Sequence, residues 1–465
     1  MKLPDSFLNS LQNLNGFDRN SFIRAHEQPE QLTSIRINPF KIDKPDSSEN
    51  DVMNRTLFFP DGKVSWCKNG FYLKQRPSFT FDPLFHAGCY YVQEASSMFL
   101  EEIFIQLIDP GQTIKVLDAC AAPGGKSTHI LSLISKESIL VANEVIRSRS
   151  QILSDNIIKW GCANAIVTNN DPSAFKKIPG YFDVIVVDAP CSGSGLFRRD
   201  EEALNEWSLN NVQLCCQRQQ RILADILPAL KEDGLLIYST CSYSKEEDED
   251  ILAWLVTNME MQNVRLNIPD EWNIVKSSIG NFGEAYRFYP DRLKGEGFFI
   301  SCFRKKKTTN ERFKNKERKV DKIPQVNASV IKEWLNADQL ELVDANGKYF
   351  AGTYNLIKEY SFLKSALNCI YNGIEIGQVL KNKLVPSHAL ALCNYLKAES
   401  PLLQLDYENS IKYLQRQEIK VSTQTKGWHV VSYNKYPIGW VNILNNRINN
   451  YYPKQLRILK QTVKS

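Results

Sequence analysis

The chain has 465 residues, too many for one ordinary domain, so about three folded units are expected. Its hydrophobic (43%) and charged (23%) fractions match those of globular proteins and exclude a collagen-like, wholly disordered or membrane-embedded chain. The formal net charge of +5 is a small excess, and where the charge lies carries more information than its size.

The opening Met1-Lys2-Leu3-Pro4-Asp5-Ser6 lacks an apolar run with a small-residue cleavage site, and no stretch is apolar enough to span a bilayer. A cytoplasmic protein without membrane contact is therefore expected. The eleven cysteines include no C-x-x-C pair, which points away from a disulfide framework and a structural zinc site. Most of these thiols should be buried.

Residues 1–100 hold helical patterns and the mixed segment Ser34-Ile35-Arg36-Ile37-Asn38-Pro39, and read as a smaller appended unit. Residues 101–305 alternate short apolar runs with helical patterns. Strands are predicted at Thr113–Leu117, Ser138–Ala142, Ala165–Thr168, Phe182–Val187 and Gly234–Tyr238, with helices at Lys126–Ile134, Arg147–Trp160 and Val212–Leu230. This alternation predicts an α/β fold with a doubly wound, Rossmann-like sheet, whose ligands bind beyond the carboxyl ends of the strands.

A basic, polar stretch from about Arg304 to Asn327 lacks apolar periodicity and is predicted to hold a linker, taken as 306–327. It contains Arg304-Lys305-Lys306-Lys307, Arg312, Lys314, Lys316, Arg318, Lys319 and Lys322, opposed by Glu311, Glu317 and Asp321. A solvated linker and direct nucleic-acid contact both fit such a run. In the C-terminal region, 328–465, Gly427–Tyr433 and Ile438–Ile443 read as strands joined at Lys435-Tyr436-Pro437 in a small β-rich module.

The first strand runs into Leu117-Asp118-Ala119-Cys120-Ala121-Ala122-Pro123-Gly124-Gly125-Lys126-Ser127, where small residues let backbone approach a ligand before a helix starts. This is neither G-x-G-x-x-G nor a P-loop. Glu144 ends the second strand, where an acidic side chain commonly accepts hydrogen bonds from ribose hydroxyls. Asp171 follows the third strand and Asp188 ends the fourth. Each is either a ligand contact or a turn residue. Two cysteines then face one crevice: Cys191, in Asp188-Ala189-Pro190-Cys191-Ser192-Gly193-Ser194-Gly195, and Cys241, in Ser239-Thr240-Cys241-Ser242.

With these motifs the chain resembles the NOL1/NOP2/Sun family of RNA cytosine-C5 methyltransferases, and more closely its bacterial members acting on 16S ribosomal RNA. Tyr90–Ser97, Arg287-Phe288-Tyr289-Pro290 and Gly295-Glu296-Gly297-Phe298-Phe299 match the family's usual flanks, so the resemblance covers nearly the whole chain. It implies S-adenosylmethionine as cofactor, held by Cys120, Ala121, Ala122, Pro123, Gly124, Gly125, Lys126, Glu144, Asp171 and Asp188. It implies Cys241 as the nucleophile that adds to C6 of the base, Cys191 as the group that assists release, and Asp188 as a contact to the pyrimidine edge. It further implies an RNA-binding N-terminal unit, no metal, a monomer, and 16S rRNA or the small ribosomal subunit as partner, with tRNA as the alternative substrate.

The C-terminal part resembles the PUA-like extension of the ribosomal members through Pro386-Ser387-His388, Pro437-Ile438-Gly439-Trp440 and Asn449-Asn450-Tyr451-Tyr452-Pro453. Trp440 and Tyr452 either stack on RNA or form the module's core. Two departures from the family stand out. The acidic run Lys245-Glu246-Glu247-Asp248-Glu249-Asp250 lacks the usual Asn and is expected to begin a solvated helix, and Asp291 replaces the usual His after Pro290. Competing readings are a non-catalytic RNA-binding assembly factor and a nicotinamide-dependent oxidoreductase. The second lacks its glycine fingerprint and leaves two crevice cysteines unexplained.

Overall fold

The computed structural model describes residues 3–27, 32–42, 60–278, 280, 283–307, 325–336, 338–419 and 425–460. Near the N-terminus, β1 (Thr33–Ile37), β2 (Pro60–Lys63), β3 (Gly70–Leu73) and β4 (Tyr90–Val92) form a sheet in the order β2-β3-β1-β4. The segment Ser34–Pro39 thus contributes most of β1, one of the two inner strands of that unit.

The main sheet is built on β5 (Lys115–Asp118), β6 (Ile139–Asn143), β7 (Ala165–Thr168), β8 (Phe182–Asp188) and β9 (Leu230–Thr240). They run parallel in the order β9-β8-β5-β6-β7, which confirms the doubly wound fold and its strand assignments. These strands are apolar almost throughout because helices cover both faces. On one face pack α1 (Gly125–Leu133) and α2 (Arg147–Trp160), through Ile130, Leu153, Ile157 and Trp160. On the other lie α3 (Leu209–Ile226) and α4 (Glu249–Asn258), through Ile222, Leu223, Ile251 and Leu255. The order reverses at β5, and the switch point opens beyond its carboxyl end.

Helix α3 stops at Ile226, short of the predicted Leu230, because Pro228 has no N–H to continue it; Leu227–Ala229 form a single tighter turn before β9. Beyond β9 the sheet turns antiparallel through β13 (Phe298–Lys305), flanked by β12 (Glu284–Phe288), β11 (Val275–Ser278) and β10 (Met261–Val264). Arg304 and Lys305, the first two residues of the basic stretch, therefore belong to a strand. Arg304 donates to the carbonyl of Asp233 and Lys305 to those of Leu227 and Leu230, so these two cations tie down backbone. Residues 308–324, with Arg312, Lys314, Lys316, Arg318, Lys319 and Lys322, lie outside the described residues.

In the C-terminal region β14 (Glu341–Ala345), β15 (Lys348–Gly352), β17 (Ile374–Leu380) and β18 (Lys383–Pro386) form one sheet, while β16 (Cys369–Asn372) pairs with β7 and extends the main sheet. A last sheet holds β19 (Leu402–Leu405), β20 (Gly427–Tyr433), β21 (Tyr436–Ile443) and β22 (Ile448–Asn450). The β20–β21 turn falls at Asn434-Lys435, both at positive φ, rather than at 435–437. Pro437 is accommodated inside β21 because the register shifts opposite it, between Val431 and Ser432. This last sheet shares a hydrophobic core with the N-terminal unit, joining Ile35, Leu84 and Tyr90 to Tyr413, Val431 and Ile438. No helix among the described residues is long and apolar enough to cross a membrane.

Candidate active site

Strands β8 and β9 are neighbours, so the loops that leave their carboxyl ends run side by side. This brings Cys191 Sγ to 2.8 Å from Cys241 Sγ, both free thiols and both partly exposed. The two loops are also bonded directly, with Gly195 N–H donating to the Cys241 carbonyl at 2.7 Å. A Cβ on Gly195 would lie 2.5 Å from both the Cys241 and the Gly297 carbonyl oxygens, so glycine is required for that approach. The hydrogen bond to Cys241, together with burial, pushes the Cys191 thiol well above its ordinary pKa. Either sulfur can be the donor in that contact.

Asp188 ends β8 on the same crevice. Its Oδ1 accepts from Ser239 Oγ at 2.8 Å, and its Oδ2 pairs with Lys126 Nζ at 2.8 Å. Lys126 also lies over the Phe298 ring, 5.0 Å from its centroid. The glycine loop and the cysteine loops therefore meet through one ion pair. The predicted Cys191, Cys241, Asp188 and Lys126 come together in one place.

The acidic run after Cys241 is not a solvated helix start: Glu247, Asp248 and Glu249 are buried. Glu247 accepts from Ser192 N–H (2.8 Å), Ser192 Oγ (2.5 Å), Ser242 Oγ (2.7 Å) and Gln219 Nε2 (3.2 Å). Asp248 accepts from Thr240 Oγ1 at 2.6 Å, and Arg287 pairs with Asp248 at 3.1 Å and with Glu249 at 2.5 Å. Charge alone predicts exposure for this run. Its burial is possible because the sheet turns antiparallel and brings Arg287 of β12 beneath it.

The turn after β5 leads into α1 through Gly124, at φ +113°. Around it, Arg149 donates to the Ala122 carbonyl and Asn156 to that of Pro123, each at 2.8 Å. Arg36 of β1 reaches 3.1 Å from the Gly125 carbonyl and 2.7 Å from Thr128 Oγ1. The N-terminal unit thus props the loop from below, although Arg36 lies between two apolar neighbours on a buried strand and gives no local signal of that role. Asp118, fully buried, accepts from Ser127 Oγ at 2.6 Å, and burial pushes its carboxyl up to about 7. The Cys120 thiol is likewise pushed up by burial, beside Asp118, Asp188 and Glu144.

Glu144 is buried, with Oε1 accepting from Ile146 N–H at 2.9 Å and Oε2 3.7 Å from Arg149. Beside it Val145 and Ile146 are half exposed, an apolar pair that sequence reasoning passed over. Asp171 caps the short turn Pro172–Lys177, accepting from Ser173 N–H (3.0 Å) and Oγ (2.6 Å), with Arg221 at 3.6 Å from its other oxygen. Those Ser173 bonds hold its carboxyl below the usual range.

One further cluster lies away from the crevice. Cys67 Sγ donates to Glu101 Oε2 at 3.0 Å, and His129 Nε2 sits 2.8 Å from the same oxygen. A metal-bound histidine normally donates its other ring N–H to an acceptor. His129 Nδ1 has no hydrogen-bond partner, and burial lowers the ring's pKa to about 4. The cluster is a hydrogen-bonded tie between the N-terminal unit and α1. In the C-terminal module Trp440 and Tyr452 are buried, Trp440 donating to the Ser387 carbonyl and Tyr452 meeting His86, which assigns both to the core.

Residues 105–304 match the family description "16S rRNA methyltransferase RsmB/F", residues 3–95 "N-terminal domain of 16S rRNA methyltransferase RsmF", and residues 400–458 "Methyltransferase RsmF PUA domain". Relatives named ribosomal RNA small subunit methyltransferase F, from Psychromonas ingrahamii and Vibrio parahaemolyticus, are 28% and 29% identical over 98% of this chain and 97% of theirs. Among solved structures, a methyltransferase homolog protein from Pyrococcus horikoshii is 30% identical, with a TM-score of 0.51 over 65% of this chain and 100% of that one. NSun6 from Pyrococcus horikoshii, at 19% identity and a TM-score of 0.54 over 66% of this chain and 99% of that one, shares the fold. With those matches in chain order around a strand-end crevice that carries both cysteines, the chain belongs to the RsmB/F family of methyltransferases.

Proposed function

We propose that this enzyme transfers a methyl group from S-adenosylmethionine to C5 of a cytosine in 16S ribosomal RNA, with Cys241 as nucleophile and Cys191 as the group that assists release. The observation that carries this reading is the pair of sulfurs 2.8 Å apart, set beside the Asp188–Lys126 ion pair. Cytosine C5 is a poor nucleophile. Addition of the Cys241 sulfur to C6 turns the ring into an enamine and makes C5 reactive.

Asp188 faces the pyrimidine edge, where its carboxylate stabilises charge as it rearranges, and Lys126 holds that carboxylate in place. Loss of the C5 proton to solvent water then leaves its bonding electrons to re-form the C5–C6 double bond, while the C6–S bond breaks and its electron pair leaves with sulfur as the Cys241 thiolate. Cys191, whose thiol is raised by the contact with Cys241 and by burial, stabilises the departing thiolate with a hydrogen bond.

The crevice fits the cofactor. Glu144 and Asp188 offer carboxylates beside the glycine loop, suited to ribose hydroxyls and a positive sulfonium, with the more exposed Asp171 at the rim. Val145 and Ile146 give an apolar surface for a purine. When bound, S-adenosylmethionine supplies the electrophilic methyl group; residues Cys120 to Lys126 shape the turn that receives it.

RNA contact is supported by a face of the C-terminal module that sequence reasoning did not single out. Trp428 and the exposed Tyr451 meet at 4.4 Å between ring centroids. Lys383, Lys426, Trp428 and Arg447 line a cavity of about 600 Å³. Aromatic faces interleaved with cations suit unpaired bases and phosphates.

Tritiated S-adenosylmethionine incubated with total RNA tests the reading. Label is expected in 16S rRNA, at a cytosine that bisulfite sequencing reports as methylated. Cys191→Ser is expected to accumulate a denaturation-resistant RNA adduct, and Cys241→Ser to give neither adduct nor label. A Cys241 variant that still crosslinks reverses the two roles, and label confined to tRNA moves the substrate.

A further inference from the structure

Glu247 lies in the run that charge alone places in solvent, yet it is the residue most tightly built into the cysteine loops. Its carboxylate accepts from four donors, and three of them, Ser192 N–H, Ser192 Oγ and Ser242 Oγ, belong to the residues that directly follow Cys191 and Cys241. The fourth, Gln219 Nε2, also donates to the Pro190 carbonyl, one residue before Cys191. Tyr238 OH in turn lies 2.7 Å from the Glu247 main-chain carbonyl and 3.0 Å from Gln219 Oε1, its one proton directed at these two acceptors, which fixes the ring of contacts to β9. Four donors converging on two oxygens is the pattern of an ionised carboxylate, since a protonated one would turn a donor of its own toward them.

We propose that Glu247 is a positioning residue that sets the division of labour between the two cysteines: it fixes the gap between the sulfurs, and its negative charge keeps Cys191 as the thiol, leaving Cys241 to attack. The proposal rests on the roles given to the cysteines above.

The geometry carries it, and the electrostatics around Cys191 support it. The geometric observation is that one side chain clasps both loops at the positions adjacent to the sulfurs, so the 2.8 Å separation is imposed by a third residue. The electrostatic one is that the groups around Cys191 are unequal in sign. After the bond to Cys241 and burial, the neighbouring Cys241 and Glu247 raise its pKa further, and the Gly193 backbone N–H opposes them. A buried anion disfavours a second anion nearby, with little water to screen it. Glu247 itself, like any buried carboxyl, is raised by burial, and its Ser192 and Ser242 bonds counter that.

The alkylation arm uses the full-length protein without RNA, so its failure is separable from failure of the RNA reading, and the methyl-transfer arm adds RNA. The rate at which iodoacetamide alkylates each cysteine is followed by mass spectrometry between pH 6 and 10. In the wild type Cys241 is expected to react first, with Cys191 lagging; the reverse order would overturn the cysteine roles and the proposal with them. Glu247→Gln removes the charge while keeping the length, and is expected to move the Cys191 profile toward lower pH. Cys191 alkylation at pH 8 should then rise about tenfold, the change that one pH unit corresponds to.

Glu247→Asp keeps the charge and shortens the reach. It is expected to leave the Cys191 profile near that of the wild type and to slow methyl transfer, which separates position from charge. A Glu247→Gln protein whose Cys191 profile does not move overturns the electrostatic half. A Glu247→Asp profile that moves as far as that of Glu247→Gln assigns the whole effect to loop geometry and overturns it as well. Wild-type methyl transfer by Glu247→Asp overturns the positional half. Should Glu247→Gln melt well below the wild type, the Ser192→Ala and Ser242→Ala pair decides the positional half: wild-type methyl transfer in both overturns it, and slowed transfer in both supports it.

Discussion

In the crevice above β8 and β9, charged and hydroxyl side chains are buried and bonded to one another, and two thiols remain partly exposed. In the C-terminal module the pattern is inverted. The aromatic residues of its motifs, Trp440 and Tyr452, are buried as core, while Tyr451 is exposed and Trp428 is half-buried, with one side against Trp440 and the other meeting Tyr451. One region conceals its polar residues to hold a reaction geometry; the other conceals its aromatics to hold a fold. A motif residue therefore has opposite meanings in the two regions, set by whether a strand ends there in a crevice or runs through a small sheet.

The largest effect expected to sharpen this contrast is at Asp188. Replacing it with Asn leaves the bond from Ser239 but removes the charge that Lys126 holds, so methyl transfer should fall by about 10² or more with the melting temperature little changed. A kinetic loss matched by an equal loss of thermal stability would make Asp188 a packing residue like Trp440.

Next comes the tryptophan pair. Trp440→Ala should lower stability by about 3–5 kcal/mol, read from thermal unfolding, because it empties a buried ring site between Trp334 and Trp428. Trp428→Ala, at a half-buried site, should lower stability by less than Trp440→Ala and weaken RNA binding by about 1–3 kcal/mol, read from filter binding at fixed salt. If the two variants behave alike, the contrast between core and surface aromatics in this module is broken.

The smallest effect is one of pH, at the floor of the crevice. Burial pushes the Asp118 carboxyl up to about 7, so between about pH 4 and 7 the folded chain holds a proton that the unfolded chain has released. Stability from this group is then greatest at the acid end and is lost as pH rises through that window. Asp118→Asn should remove this contribution and flatten the dependence of melting temperature on pH between 5 and 7. A slope identical to that of the wild type would place the proton elsewhere.

The parallel sheet was legible because strand and helix periodicities are local, and all five predicted parallel strands form. The crevice was legible for a related reason: a doubly wound sheet delivers strand ends to one edge, so Asp188, Cys191 and Cys241 converge wherever their strands pair. Legibility failed where burial was decided by a distant partner. Charge predicted exposure for Glu247, Asp248 and Glu249, and Arg287, Ser192 and Gln219 bury them instead. Charge likewise grouped Arg304 and Lys305 with the basic stretch that follows, but they grip backbone carbonyls at the end of β13.

Sequence alone determined the α/β alternation, the residues at the strand ends and the family they resemble, because each is written in neighbours a few positions apart. Tertiary structure decided what those residues do for one another. Glu247 reaches Ser192 across 55 positions and Arg36 reaches Thr128 across 92, and bonds of that span exist only after the sheet has closed. They bury polar groups that no local pattern marks as buried, since burial is affordable where most donors and acceptors find partners.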